Sequence, residues 1–259
     1  ALGFGTLRAT LKLCVNIPPD RSGVPSAGNG PAMRAPVIGA WLQDEPQRLA
    51  ALTRICTRIT HTDPRAEQGA LVVAQCTARV ASGGFPEEPA ALLRDIAADV
   101  ADEELRANLQ AAADALAEGA SAEALAELLE LERGVGGFIN HTVPMAVFCA
   151  LRYPDFREAV ERIIILGGDT DTTAAVVGGI AGAAHGSDAI PDQWLGALLE
   201  IPGPDWACGL AEELALTRLG ESAGRAPSVA SWWITRPPRN LLFLTTILLH
   251  ALRRLLPPW

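Results

Sequence analysis

Gly167-Gly168-Asp169-Thr170-Asp171-Thr172-Thr173-Ala174-Ala175 sets two carboxylates and a hydroxyl on a glycine-hinged turn, directly before a small-residue helix expected to run to Gly186. On a regular helix, side chains two positions apart point to nearly opposite sides. Asp169 and Asp171 can therefore share a ligand only where the backbone is not yet helical. Gly167 and Gly168 permit that geometry. Carboxylate and hydroxyl oxygens favour magnesium, manganese or calcium over zinc or copper, which prefer imidazole and thiolate. The competing reading is an N-cap, because Asp and Thr are favoured at helix starts whether or not a metal is present.

Two named motifs compete for the same residues. An EF-hand loop starting at Asp169 needs Gly at its sixth position and Glu at its twelfth, where the chain has Ala174 and Ile180. The Asp-x-Asp-x-Thr signature of haloacid-dehalogenase-type phosphatases is matched by Asp169, Asp171 and Thr173, with Ile163-Ile164-Ile165-Leu166 as the preceding strand. Those enzymes also need a downstream cationic residue, usually lysine, on an α/β scaffold. The only lysine is Lys12, far upstream, and no repeated strand–helix alternation is visible.

Outward from this turn, helical periodicity dominates. Windows at Gln47–Thr60, Pro64–Ala81, Glu87–Ala98, Asp102–Glu118, Ala122–Glu132, Val143–Arg152, Phe156–Leu166, Thr172–His185 and Trp206–Leu219 carry apolar residues three or four apart in an Ala-, Leu- and Arg-rich background. The fold class is all-α. Asp102, Ser121 and Asp155 are expected N-caps, and Gly119, Gly186 and Gly220 expected stops. Pro/Gly clusters at Pro18–Pro36, Gly83–Pro89, Ile201–Pro204 and Gly220–Pro227 read as loops. None is long enough for an interdomain linker, so residues 1–259 are expected to form a single domain.

Of 259 residues, 49% are apolar, enough for a substantial core. The net charge of -9 argues against a nucleic-acid footprint, although nearly every basic residue is arginine. Cys14, Cys56, Cys76, Cys149 and Cys208 form an odd set without Cys-x-x-Cys spacing, as expected for buried thiols in a reducing cytoplasm. The apolar run within Asn240–Leu256 is interrupted by His250, Arg253 and Arg254, too early for a membrane span of about 20 residues. It reads as a core or interfacial helix.

Three further segments carry chemistry. In Ser26-Ala27-Gly28-Asn29-Gly30-Pro31-Ala32-Met33-Arg34, the glycines can bring backbone N–H groups close to an anion, with Pro31 as the first residue of a following helix. A hairpin at Asn29-Gly30 lacks the alternating strands it would connect. Thr60-His61-Thr62-Asp63-Pro64 sets a histidine before a proline-started helix, where it is usually a capping or solvated residue. Gly134-Val135-Gly136-Gly137-Phe138-Ile139-Asn140-His141-Thr142-Val143 is a glycine-rich turn ending in an aromatic.

In this order, from about Gly23 to Gly186, these segments resemble the ADP-ribosylglycohydrolase family, including dinitrogenase-reductase-activating glycohydrolases and crystallin J1-like members. The acidic turn followed by Gly178-Gly179-Ile180-Ala181-Gly182 is the most specific part. The resemblance implies a compact orthogonal multi-helix bundle. It implies that Asp169, Asp171 and Thr172 are ligands of a binuclear magnesium or manganese site. Ser26, Gly28, Asn29, Gly30 and Met33 would meet the diphosphate and proximal ribose of ADP-ribose, His61 would stand near the ligand, and Gly134, Gly136, Gly137 and Phe138 near the adenosine. Tyr often stands where Phe138 does.

The implied reaction is hydrolysis of the glycosidic bond at C1″ of ADP-ribose, with ADP-ribose or an ADP-ribosylated protein as partner. The departure is as clear as the match. Family members open with a Gly-Asp-Ala-type motif and a Thr-Asp-Asp-Thr motif that supplies the other metal ligands, and neither occurs here. The sequence is expected to begin after that region, with Leu7–Cys14 as a helix internal to the domain. No residue is assigned as general acid or base. A non-catalytic ADP-ribose-binding relative is the alternative to an enzyme.

Overall fold

The helices begin where the sequence supplies prolines and oxygen caps. The computed structural model describes residues 3–197 and 204–220, with scattered positions between 238 and 253. In chain order they are α1 (Phe4–Cys14), α2 (Pro19–Ser22), α3 (Ala35–Trp41), α4 (Pro46–Arg58), α5 (Pro64–Gly83), α6 (Pro89–Ala98), α7 (Glu103–Glu118), α8 (Ala122–Leu128), α9 (Ile139–Arg152), α10 (Phe156–Ile165), α11 (Thr170–His185), α12 (Asp192–Gly196) and α13 (Pro204–Arg218). Among the described residues the only β pairings are isolated bridges. The fold is all-α, as expected. The chain divides into two compact units, Ala1–Pro191 and Asp192–Trp259. Every candidate site residue lies in the first.

The caps follow the sequence. Asp63, Asp102, Ser121 and Asp155 accept from backbone N–H groups of Arg65, Leu105, Ala124 and Glu158 at the starts of α5, α7, α8 and α10. Gly119 closes α7 in the left-handed conformation.

The first unit is organised around α9. From Thr142 to Leu151 every residue of this helix is buried, and it packs against α5, α7, α10 and α11. Phe148, Met145 and Leu151 are essentially sealed from solvent. Burial of each such side chain contributes about 1.5–3 kcal/mol.

The sequence places the start of this helix at Val143, yet α9 begins at Ile139 and runs through Pro144. A proline inside a helix leaves the carbonyl four residues earlier without its N–H partner. That carbonyl belongs to Asn140, and Asn108 of α7 donates to it from Nδ2 at 3.0 Å. A neighbouring helix thus supplies the bond that Pro144 cannot.

Three other expectations are corrected. Pro31 does not start a helix: residues 30–34 form consecutive turns, with Ala32 N–H donating to Asn29 O, and α3 begins at Ala35. Ile163-Ile164-Ile165 is not a strand but the last turn of α10, with Leu166 as its C-cap: Ile163 continues the buried helical face of Phe156, Ala159 and Val160, while Ile164 and Ile165 are exposed. This removes the scaffold of the phosphatase reading. Cys76 and Cys149 are buried thiols, whereas Cys14 and Cys208 are exposed.

In the second unit the described leucines of the apolar run, Leu241, Leu242, Leu244, Leu248, Leu249 and Leu252, are exposed rather than buried. Phe243, Ile247 and His250 of that run, and most of the loops expected at Ile201–Pro204 and Gly220–Pro227, lie outside the described residues. Among the described residues no helix is long and apolar enough to cross a membrane.

Candidate functional site

Backbone bridges bring the sequence motifs together. Val24 pairs with His61, Gly28 with Phe138, and Val135 with Gly168. The last pairing depends on glycine at both of its ends. Gly134 and Gly168 have φ of 85° and 87°, in the left-handed region. A Cβ on Gly134 would stand 2.5 Å from the Gly167 carbonyl carbon, and one on Gly168 would strike the Val135 carbonyl. Asp169 N–H then donates to Val135 O at 2.7 Å, which fixes where the acidic turn begins.

Asp169 occupies the N-cap position of α11 but makes no side-chain cap hydrogen bond. Its carboxylate instead accepts from Asn29 Nδ2 at 2.7 Å on one oxygen and from Thr172 Oγ1 at 3.1 Å on the other. The capping role alone therefore does not account for this aspartate. Thr172 is buried and Asp171 exposed.

Asn29 is 7% exposed, and both its amide hydrogens are accounted for. One goes to Asp169 and the other to Thr142 Oγ1 at 3.0 Å. The Thr142 hydroxyl then donates to Gly136 O at 2.8 Å. A continuous chain of hydrogen bonds thus links the glycine-rich turn before α9, the Ser26–Met33 loop and the acidic turn.

His61 is only 3% exposed and so is not the solvated residue an isolated histidine at such a position usually is. Its ring stands against glycine backbone: a Cβ on Gly28 would come 3.2 Å from Nε2, and one on Gly30 3.1 Å from Cε1. Larger residues at either position would collide with it. Burial pushes the imidazole pKa down to about 4, and the Arg34 cation adds to the effect. Burial also lowers the pKa of Arg34, whose guanidinium donates to Cys56 O and Thr60 Oγ1 at 3.0 and 2.9 Å.

These elements enclose a cavity of about 640 Å³, lined by Ser26, Gly28, Asn29, Gly30, Met33, His61, Gly137, Asp169, Asp171 and Thr172 among the expected residues. Its size falls in the range of about 300–1,000 Å³ common for small-molecule sites. Gly3, Gly5, Thr6 and Arg34 also line it and were not expected.

Gly134, Gly136 and Phe138 do not line the cavity. Gly134 serves the close approach to Gly167, and Gly136 offers its carbonyl to Thr142. Phe138 is half-buried, edge-on to His141 with ring centres 5.0 Å apart and 5.5 Å from the Arg65 guanidinium.

A family model for ADP-ribosylglycohydrolase matches residues 1–224. The chain belongs to the ADP-ribosylglycohydrolase family. Among its relatives, ADP-ribosylhydrolase ARH3 of Homo sapiens is 29% identical over 203 residues, covering 67% of this chain and 54% of the relative. An uncharacterized protein of Archaeoglobus fulgidus is 30% identical over 199 residues, covering 76% and 62%. A solved structure of an ADP-ribosylglycohydrolase-related protein complex superposes with a TM-score of 0.58 at 30% identity, over 84% of this chain and 67% of that one. The chain thus spans about half the length of the curated ARH3 relative.

The resemblance drawn from the sequence implies a magnesium or manganese site at the acidic turn. Asp169, Asp171 and Thr172 offer oxygen donors only, suited to a hard cation. Among the described residues, however, no group of three or more His, Cys, Asp or Glu side chains is placed to hold a metal ion. The donors fit one side of a metal centre and not a complete binuclear one.

Proposed function

We propose that this chain contributes to hydrolysis of the glycosidic bond between C1″ of ADP-ribose and an acceptor, in a reaction dependent on magnesium or manganese. One observation carries the reading: a single cavity collects the Ser26–Met33 loop, His61 and the acidic turn. Gly28 and Gly30 leave room for ligand oxygens to approach the backbone. Asp169 and Asp171 would hold and partly neutralise a cation, with Thr172 adding a neutral oxygen. When bound, such a cation lowers the pKa of a water and stabilises charge near an oxocarbenium-like transition state. Asn29 keeps the Asp169 carboxylate turned toward the cavity. The unpaired thiols suit a reducing compartment such as the cytoplasm.

Titration of the purified chain with ADP-ribose, followed by assay of ADP-ribose release from arginine- and serine-modified proteins, tests the proposal. Binding with metal-dependent release is the result that supports the hydrolase reading. The second reading is ADP-ribose binding without turnover, favoured by the absence of a three-ligand group among the described residues. Binding without release under saturating magnesium or manganese would select it. Failure to bind ADP-ribose would refute both.

A further inference from the structure

The hydrogen bonds around His61 determine which of its nitrogens carries the proton. Thr60 Oγ1 and His61 Nδ1 stand 2.8 Å apart. In the same hydroxyl's surroundings, Arg34 donates to it at 2.9 Å, since a guanidinium has no acceptor. The hydroxyl has one proton to give, and two acceptors are within reach, His61 Nδ1 and the carbonyl of Thr57. That carbonyl already accepts from the backbone N–H groups of His61 and Thr60, at 2.8 and 3.0 Å, and lies 3.4 Å from the hydroxyl. Its two lone pairs are taken, so the Thr60 proton goes to Nδ1.

With its pKa held near 4, chiefly by burial and also by Arg34, the ring carries one proton at neutral pH. Once Nδ1 accepts, that proton is on Nε2. Among the described residues Nε2 has no hydrogen-bond partner, and it lies at the wall where Gly5 and Gly28 come closest.

We propose that Arg34 and Thr60 are positioning residues that lock the His61 proton on Nε2, so that this wall of the cavity selects a ligand presenting an acceptor oxygen. The inference deepens, and for its ligand rests on, the ADP-ribose reading above. A diphosphate or ribose oxygen satisfies such a donor, and an ammonium or amide N–H at the same place does not. Arg34 acts through Thr60: its cation donates to one of the hydroxyl's two lone pairs and polarises the O–H, which makes Thr60 a stronger donor toward Nδ1.

Long-range proton–nitrogen correlation spectra of the full chain labelled with ¹⁵N-histidine, recorded without ligand, read the tautomer directly. The expected wild-type pattern is a protonated Nε2 and an unprotonated Nδ1 at His61. Thr60→Val, which keeps shape and removes the hydroxyl, is expected to give a mixture of tautomers, and Thr60→Ser to restore the wild-type pattern. Arg34→Gln should move the populations the same way as Thr60→Val. Affinity for ADP-ribose should fall about fivefold in Thr60→Val and recover in Thr60→Ser, the change expected for one net hydrogen bond.

A wild-type spectrum with the proton on Nδ1 overturns the proposal without recourse to any variant. So does a Thr60→Val protein, folded by circular dichroism, that keeps the wild-type tautomer. A wild-type pattern that Thr60→Val disturbs, in a chain that binds no ADP-ribose, supports the relay and overturns the ligand reading instead.

Discussion

Acidification should destabilise this protein through one buried imidazole. His61 has its pKa depressed from 6.5 to about 4, by burial first and by Arg34 second. Between those values the unfolded chain takes up a proton that the folded chain refuses. The unfolded state therefore binds more protons, and stability falls as pH drops through that window. Each pH unit inside it costs about 1.4 kcal/mol, which makes about 3 kcal/mol between pH 7 and pH 4.

Carboxylates titrate at the lower end of the same range, so the experiment needs a reference. His61→Gln removes this one ionisation and leaves the others. Urea unfolding of both proteins, followed by helical circular dichroism at several pH values from 7 to 4, isolates the difference. The wild type should lose about 3 kcal/mol more than His61→Gln over that interval. Parallel stability curves for the two proteins would refute the reasoning, since they would mean that His61 protonates as easily folded as unfolded.

Three further outcomes are expected. Asp169→Asn should weaken manganese binding in calorimetry, while Asp188→Asn, in the exposed turn after α11, should leave it unchanged; equal affinities for wild type and Asp169→Asn would return Asp169 to a structural role. Asn108→Ala leaves the Asn140 carbonyl without its donor inside the core and should lower the stability measured in urea by about 1–3 kcal/mol, and an unchanged midpoint would show that the helix tolerates Pro144 without help. Gly168→Ala, at a φ of 87° and with its Cβ directed into the Val135 carbonyl, should separate the glycine-rich turn from the acidic turn and abolish ADP-ribose binding, which a titration at saturating ligand would detect.

Much of the site was legible because its signals are local. A glycine pair before an acidic helix start, a Gly-Asn-Gly loop and a capped proline helix are each set by the backbone freedom and hydrogen-bonding capacity of neighbouring residues. The order of the motifs then carried the family resemblance. The caps at Asp102, Ser121 and Asp155 were readable for the same reason.

The rest depends on contacts between distant parts of the chain. Asn29 and Asp169 are 140 positions apart, so the shared hydrogen bond that takes Asp169 out of its cap could not be read from either motif. The start of α9 was misplaced because Pro144 breaks helices by local rules, and only Asn108, 32 positions from the carbonyl it serves, makes good the loss. Arg34 and Thr60 stand inside quoted motifs, yet their joint hold on His61 arises only when the turn after α4 folds against the segment before α3. By itself the sequence determined an all-α chain with oxygen-rich and glycine-rich turns in a recognisable order. Tertiary structure alone decided which way those groups face, because a hydrogen bond's direction depends on what every other partner in reach has already donated or accepted.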